Sequence, residues 1–120
     1  MELSTLQLEQ FERDGFLLFP ALISAAEIVV LKTELRRLCE LRSAEIVRER
    51  SGTPRMVFRT HDADSPTASA AFYALSRLPR ILRPAQQVLG DDALYVQHSK
   101  CKVKEAIDGT AYQWHQDYGY

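Results

Sequence analysis

The pattern of apolar and polar positions predicts two helices in the first third of the chain. Ser4-Thr5-Leu6-Gln7 has the form of a capping box and predicts a short helix from about Thr5 to Asp14 that ends at Gly15. A second box, Ser24-Ala25-Ala26-Glu27, opens the longest predicted helix. Its apolar stripe consists of residues at helical spacing: Ile28, Leu31, Leu35, Leu38, Leu41 and Ile46. The opposite face is charged, so the stripe predicts a surface that packs against a sheet.

Shorter segments flank and follow this helix. The apolar run Phe16-Leu17-Leu18-Phe19, closed by Pro20, predicts a brief strand before it. Ser51-Gly52-Thr53-Pro54 breaks the helix, and a short strand is predicted from Arg55 to Arg59. A polar loop is predicted at Thr60–Ser65, followed by a helix from Thr67 to Ser76 with Pro66 in its first turn. Two further helical pieces are predicted to begin at Pro79 and Pro84, and the second stops at Gly90.

The last quarter of the chain alternates in polarity. Leu94 to Lys104 and Ala111 to Tyr118, joined by a loop at Asp108-Gly109, predict two paired strands. Helices therefore come first and strands later. This order predicts an α+β fold in which helices pack on one side of an antiparallel sheet.

Composition narrows the classes of protein. A chain of 120 residues is one domain at most, and 15 basic against 16 acidic residues give a net charge of −1. That balance offers no electrostatic case for nucleic acid or an anionic membrane. The N-terminus lacks the layout of a signal peptide, and no apolar run approaches the roughly 20 residues that span a bilayer. The two cysteines make no disulfide framework. We therefore expect a cytoplasmic protein with reduced thiols.

His115 and Asp117 are the candidate metal ligands. They stand two apart on a predicted strand, so their side chains point to the same face, with Cα atoms roughly 6–7 Å apart. One imidazole and one carboxylate are two-thirds of the 2-His-1-carboxylate triad that holds ferrous iron. A bare His-x-Asp is also common as a surface or capping pair, so the spacing alone leaves both interpretations open.

The residues around His115 and Asp117 form an aromatic-x-Trp-His-x-Asp block, Tyr112-Gln113-Trp114-His115-Gln116-Asp117, preceded by Tyr95 to Lys104. With this block as the most specific part, and with further matches at Phe11–Leu17, Ser65-Pro66, Leu78–Leu82 and Val88–Gly90, the sequence resembles the phytanoyl-CoA dioxygenase family, nearest the bacterial branch that includes ectoine hydroxylase. The resemblance implies an Fe(II)/2-oxoglutarate-dependent dioxygenase with a double-stranded β-helix, or jelly roll, that hydroxylates a C–H bond of a small molecule with dioxygen.

The resemblance also implies roles by position. His115 and Asp117 match two iron ligands, and Tyr112 and Lys102 match residues near 2-oxoglutarate. His98 and Trp114 stand where relatives contact substrate. Halogenases of this class replace the ligand carboxylate by a small residue, so Asp117 favours hydroxylation.

Plainer interpretations stay open for several of these residues. The alternating lysines Lys100, Lys102 and Lys104 are typical of a solvated strand face, and Trp114 of a core. Arg59 and His61 precede a polar loop. The resemblance implies polar residues here near the mouth of the active site, and ordinary loop chemistry is the favoured interpretation. If Asp108-Gly109 sits in a four-residue loop, one face of the strand pair holds five polar residues: His98, Lys100, Lys102, His115 and Asp117. A one-residue slip would send the first three to the other face.

Two family residues have no counterpart in this sequence: the distal histidine that is the third iron ligand, and the following arginine that grips 2-oxoglutarate. The other histidines, His61 and His98, do not match that position. We therefore expect residues 1–120 to be the N-terminal part of a single dioxygenase domain with an incomplete barrel. One alternative is a catalytically inactive half-domain that self-associates through an exposed strand edge or docks with a partner. Another is a structural metal site formed by His98, His115 and Asp117.

Overall fold

The computed structural model describes residues 1–103 and shows an α+β arrangement in that part of the chain. Its elements are α1 Thr5–Asp14, α2 Ala25–Glu40, β1 Ile46–Arg48, β2 Pro54–Phe58, α3 Ala70–Leu75, α4 Pro79–Leu89 and β3 Lys100–Lys102. The α+β prediction is confirmed. The loop predicted at Asp108-Gly109 and the strand predicted at Ala111–Tyr118 lie outside the described residues, and the jelly roll stays a prediction.

Both predicted capping boxes are present. At the start of α1, the Gln7 amide donates to the Ser4 hydroxyl at 3.3 Å, and the Ser4 amide donates to the Gln7 side chain at 3.0 Å. Ser24 and Glu27 make the same reciprocal pair at the start of α2. Gly15 ends α1 with a φ of 78°, a left-handed conformation that glycine adopts without steric cost. Local sequence signals therefore set these helix starts.

The helix α2 ends earlier than predicted. Leu41 is already extended, and Ile46, assigned above to the helical stripe, lies in β1. Arg48 explains the ending, because its guanidinium donates to the carbonyl oxygens of Cys39 at 2.7 Å and Leu41 at 3.0 Å. These carbonyls have no partner within the helix, so a cation at this end satisfies them. The prediction that Ser51–Pro54 breaks the helix was wrong.

Residues 49–53 instead form the turn of a β-hairpin. The Glu49 amide donates to the Thr53 carbonyl at 2.8 Å, and the Gly52 amide donates to the Glu49 carbonyl at 2.9 Å. Gly52 has a φ of 89°, which favours glycine at this position. The strand β2 follows directly at Pro54–Phe58, close to the predicted bounds Arg55–Arg59.

Three further predictions of element type or bounds were wrong. Residues 16–19 are not a strand: Leu18 is 80% exposed, and within residues 1–103 no strand pairs with this apolar run. The helix predicted from Thr67 begins only at Ala70, because the Thr67 hydroxyl donates to the Phe58 carbonyl at 2.6 Å and Ser69 is the N-cap. The pieces predicted at Pro79 and Pro84 are one helix, α4, with Pro84 inside it and Gly90 as its left-handed end.

The described sheet is antiparallel with the order β1-β2-β3. Val57 is its central residue, paired with Ile46 on one side and Cys101 on the other. Leu38 of α2 packs with Ile46 and Val57 in the buried core, with Cys101 at its border. The prediction that the long helix packs against a sheet is therefore confirmed.

The last described strand is shorter than predicted. Of the predicted segment Leu94–Lys104, only Lys100–Lys102 is a strand within the described residues. The pairing with β2 ends where the Arg59 amide donates to the Ser99 carbonyl at 3.0 Å. Arg59 has a φ of 57°, which turns the chain after β2 away from the sheet. Within the described residues, no strand therefore lies beside residues 93–98. His98 consequently precedes the strand on which it was predicted to lie.

The helix α4 holds the N-terminal segments in place. The Gln87 side chain accepts from the Leu3 amide at 2.6 Å and donates to the Leu3 carbonyl at 3.0 Å, and Leu3 is buried. Arg80 donates to the Leu22 carbonyl at 3.0 Å and pairs with Glu27. Across residues 1–103, no helix combines the length and apolar character needed to cross a membrane.

Candidate active site

The two faces of the sheet have different chemical character. Val57 and Cys101 face α2, since both belong to the packing around Leu38. Successive residues of a strand point to opposite faces, so Lys100 and Lys102 lie on the face away from α2. Both lysines are exposed, whereas Cys101 between them is half-buried. The predicted alternation is confirmed for Lys100 and Lys102, and Lys104 lies outside the described residues.

Apolar side chains accompany the lysines on that face. Lys102 pairs with Met56, and Lys100 pairs with Phe58. Residues that pair directly across an antiparallel ladder lie on the same face of the sheet, and Met56 and Phe58 are both half-buried. The face thus presents two ammonium groups beside a partly apolar surface.

Of the other predicted site residues, one lies in the described part of the chain and four lie outside it. His98 is exposed and lies two residues before β3. Tyr112, Trp114, His115 and Asp117 lie outside the described residues. Their roles as cosubstrate, substrate and iron contacts stay predictions, as does the role of Lys102. Within residues 1–103, no three histidine, cysteine, aspartate or glutamate side chains are grouped closely enough to hold a metal ion.

Ser99, between His98 and Lys100, is a junction that sequence reasoning missed. Three consecutive residues after β2 converge on it. The Arg59 amide donates to its carbonyl at 3.0 Å, the Thr60 Oγ1 lies 3.1 Å from its Oγ, and the His61 Nδ1 lies 2.8 Å from the same Oγ. The only sequence signal was the position of Ser99 within the family-like motif. Its partners 38 and 39 residues away carry no local pattern.

Arg59 makes this convergence possible. A φ of 57° is uncommon for a residue with a side chain and costs on the order of 1 kcal/mol. Its guanidinium donates to Asp62 at 3.1 and 2.6 Å and lies 3.9 Å from Glu45. The hydrogen bond from Arg59 is the main cause that lowers the pKa of Asp62. These contacts hold the turn that places Thr60 and His61 next to Ser99.

A layer of buried hydroxyl groups supports the same turn. It consists of Thr60, Ser65, Thr67 and Ser69. Ser65 Oγ and Thr67 Oγ1 lie 2.8 Å apart, and the Ser69 amide donates to the Thr60 carbonyl at 3.1 Å. Every buried side-chain nitrogen and oxygen in the described part of the chain has a hydrogen-bond partner. Because a satisfied buried network is costly to rearrange, the loop at Thr60–Ser65 has a defined structure.

His61 lies between two surface grooves. One groove runs between the helices α3 and α4 and the segment 91–97, and Arg77, Tyr95 and Gln97 line it with His61. The other is lined by His61, Ser69 and Tyr73 among others. The guanidinium of Arg77 lies 3.5 Å from the centre of the Tyr73 ring, a cation–π contact.

The two cysteines are packing residues. Cys39 and Cys101 are free thiols that pack against the core formed by Leu38, Ile46 and Val57. Burial raises the pKa of both thiols, which disfavours the thiolate needed for metal binding or nucleophilic attack. The prediction that they form no disulfide is consistent with their free state.

Comparison with protein families gives one match that covers nearly the whole chain. The model of the family described as phytanoyl-CoA dioxygenase matches residues 11–120. The chain belongs to this family. The match includes the block with His115 and Asp117, and it confirms the resemblance drawn from the sequence.

Individual relatives agree with the family. The chain is 36% identical over 116 residues to ectoine dioxygenase of Streptomyces anulatus, covering 92% of this chain and 37% of the relative. It is 33% identical over 121 residues to ectoine dioxygenase of Bordetella bronchiseptica, covering 97% and 37%. It is also 31% identical over 112 residues to L-proline trans-4-hydroxylase of Streptomyces griseoviridis, covering 92% and 40%.

The chain therefore spans less than half the length of the curated relatives it matches. Comparison with solved structures gave no significant match.

Proposed function

We propose that this chain is part of an Fe(II)- and 2-oxoglutarate-dependent dioxygenase that hydroxylates a C–H bond of a small molecule. The observation that carries the proposal is the family match over residues 11–120, which includes the His115-Gln116-Asp117 sequence. The similar proteins are named as ectoine dioxygenases and as a proline hydroxylase. These names support a small polar metabolite as substrate.

The donor chemistry of the chain fits ferrous iron. A neutral imidazole and a carboxylate are the ligand types of the facial triad, and His115 and Asp117 supply one of each. Iron and 2-oxoglutarate, when bound, supply the activation of dioxygen and the oxidation of the substrate C–H bond. The third ligand in this proposal is the distal histidine of the family, whose position neither His61 nor His98 matches. The presence of Asp117 supports hydroxylation over halogenation.

The described face of the sheet fits the cosubstrate. Since 2-oxoglutarate is a dicarboxylate, an ammonium group beside an apolar surface attracts one carboxylate while the carbon chain contacts apolar side chains. Lys102 stands in this position, opposite Met56, and Lys100 provides a second positive charge on the same face. In this proposal Lys102 binds 2-oxoglutarate, Tyr112 lines its pocket, and His98 and Trp114 contact substrate.

A second candidate function is a half-domain without catalysis that self-associates or docks with a partner. Exposed apolar residues favour self-association or docking. Val29 and Val30 on α2 are 63% and 57% exposed, and Phe16 and Leu18 before α2 are exposed as well. Size-exclusion chromatography distinguishes the two candidates. Self-association predicts elution larger than a monomer, and a monomer that unfolds cooperatively contradicts it. The dioxygenase proposal places the protein in the cytoplasm, with dioxygen and a small molecule as its substrates.

Substitution of the ligands tests the proposed site. We expect His115→Ala and Asp117→Ala each to weaken anaerobic Fe(II) binding by at least about tenfold, because loss of one ligand from a small set removes a large share of the affinity. The matched variant His98→Ala keeps the wild-type affinity if His98 contacts substrate. A loss with His98→Ala equal to the other two would instead support the structural metal site of His98, His115 and Asp117. Unchanged binding in all three variants would contradict both.

A further inference from the structure

We propose that His61 is a positioning residue: through Ser99 it fixes the approach to β3 and thereby the direction of His98, Lys100 and Lys102. The inference rests on the proposed function, in which these three side chains serve the substrate and cosubstrate. His61 itself does not touch either molecule. Its role depends on one nitrogen, Nδ1, and on one hydroxyl group.

Three contacts hold Ser99, and all three come from the consecutive residues 59–61. The Ser99 carbonyl and hydroxyl are bound by the Arg59 amide, the Thr60 hydroxyl and the His61 Nδ1, within 3.1 Å in every case. Ser99 is half-buried by these neighbours, whereas His98 and Lys100 on either side of it are exposed. Anchoring the side chain between them therefore determines which way both flanking side chains point, because neighbouring residues of an extended chain point in opposite directions.

Within residues 1–103, β3 pairs with β2 over three residues, so side-chain contacts near its start help to fix its register. One backbone hydrogen bond flanks β3 on each side: the Arg59 amide donates to the Ser99 carbonyl at 3.0 Å, and the Val103 amide donates to the Arg55 carbonyl at 2.9 Å. A slip of one residue would turn Lys100 and Lys102 toward α2 and Cys101 away from it. The contacts from Thr60 and His61 add two side-chain interactions that only one register satisfies.

The ring of His61 is held by Nδ1 alone among the described residues. Nε2 has no hydrogen-bond partner there, and the ring lines a groove with Tyr95 and Gln97. Two roles are therefore chemically distinct: positioning through Nδ1, or direct contact with a groove ligand through Nε2. The three bonds at Ser99 favour the first role.

Two substitutions of His61 separate these roles. The shorter amide of Asn places a polar atom near the position of Nδ1, whereas the longer amide of Gln reaches toward Nε2. Positioning through Ser99 predicts that His61→Asn binds 2-oxoglutarate within about twofold of wild type, while His61→Gln weakens it by about 3- to 10-fold, the effect of one lost hydrogen bond. Ser99→Ala weakens it at least as much, because it removes the contact with Thr60 as well. Since the His61 contact is already absent in Ser99→Ala, the double variant His61→Gln/Ser99→Ala binds no more weakly than Ser99→Ala alone.

Three measurements are made on the same samples. Affinity is measured by anaerobic titration with 2-oxoglutarate in the presence of Fe(II), the melting temperature is recorded for each variant, and amide hydrogen exchange is followed at Cys101 and Val103, whose amides face β2. We expect exchange to accelerate in His61→Gln and Ser99→Ala but not in His61→Asn. We also expect the affinity loss at melting temperatures close to wild type, which a purely structural role would not produce.

The proposal is overturned by equal 2-oxoglutarate affinity in wild type, His61→Asn and His61→Gln, or by retention of affinity in His61→Gln and loss in His61→Asn. It is also overturned if exchange at Cys101 and Val103 is the same in all variants. If the wild-type chain binds no 2-oxoglutarate, the proposed function fails for this chain, and the exchange pattern alone then decides whether His61 positions β3.

Discussion

Lys102 of β3 lies directly opposite Met56 of β2, on the sheet face turned away from the helix α2. The pairing places an exposed ammonium group beside a half-buried apolar side chain. Lys100 is placed in the same way, opposite Phe58, one pleat further along the strand. The two lysines thus share a face and a strand and lie two residues apart.

Replacing Lys102 by Met tests which lysine binds the cosubstrate. We expect Lys102→Met to weaken 2-oxoglutarate affinity by about tenfold or more, since a hydrogen bond to a charged group contributes about 1.5–3 kcal/mol. Lys100→Met is the matched control, with the same change on the same face, and we expect an effect of about twofold from the loss of a more distant charge. The measurement is the anaerobic titration of each variant with 2-oxoglutarate. Equal losses in the two variants would show a general effect of positive charge and contradict a specific role for Lys102.

The core under the sheet depends on Leu38, which is fully buried against Ile46 and Val57. We expect Leu38→Ala to lower the free energy of unfolding by about 2–5 kcal/mol, because the removed methyl groups leave a cavity. Leu6, 76% exposed on α1, gives the control: Leu6→Ala changes it by less than about 0.5 kcal/mol. Denaturant unfolding curves measure both. Similar losses for the two variants would contradict the placement of the core.

Arg48 links the sheet to the end of α2 by its bonds to the carbonyl oxygens of Cys39 and Leu41. Its removal leaves these oxygens without the cation, so we expect Arg48→Ala to lower the free energy of unfolding by about 1–2 kcal/mol. The neighbouring exposed Arg50 serves as the control, and we expect no measurable change for Arg50→Ala. Thermal unfolding of the two variants decides, and equal midpoints would argue against this cap.

Two carboxylates make the stability of the fold sensitive to acid. The Ser24 amide, the Ser24 hydroxyl and Arg80 hold the pKa of Glu27 at about 2. Hydrogen bonds from Arg37 and Ser69 hold the pKa of Glu34 at about 2 as well. Both values lie below the ordinary 4.5 of a glutamate, so folding favours the charged form. The resulting stabilisation is fully present above pH 4.5 and is lost as the pH falls from there toward 2.

The free energy of unfolding measured against pH tests this sensitivity. We expect it to fall between pH 4.5 and about 2, and to fall less steeply in Glu27→Gln and Glu34→Gln, whose amides do not titrate. An acid limb of the same steepness in wild type and in both variants would mean that other groups cause the acid loss.

Predictions from local sequence succeeded where the interactions are local. The boxes at Ser4 and Ser24 each join residues three apart, and both form as predicted. The alternation of Lys100 and Lys102 follows from the period of a strand. The assignment of Ile46 to α2 failed because the helix is ended by Arg48, a residue of the neighbouring strand. No pattern within the helix itself signals that contact.

The candidate site shows the same division. The family-like motif gave Lys102, His98, His115 and Asp117 their predicted roles by position, without any knowledge of the fold. The link from His61 to Ser99 joins residues 38 apart and depends on the left-handed turn at Arg59. A positive φ at an arginine has no sequence signature, since this conformation is maintained by the contacts around it.

The measurement that tests the central claim most directly is an anaerobic titration of the chain with Fe(II) and 2-oxoglutarate, followed by visible absorption. The account predicts the weak charge-transfer band of an iron–2-oxoglutarate complex in wild type, its loss in Asp117→Ala, and its persistence in His98→Ala. A folded wild-type chain that shows no band at saturating Fe(II) and 2-oxoglutarate would contradict a dioxygenase site formed by residues 1–120 themselves and would favour the half-domain without catalysis.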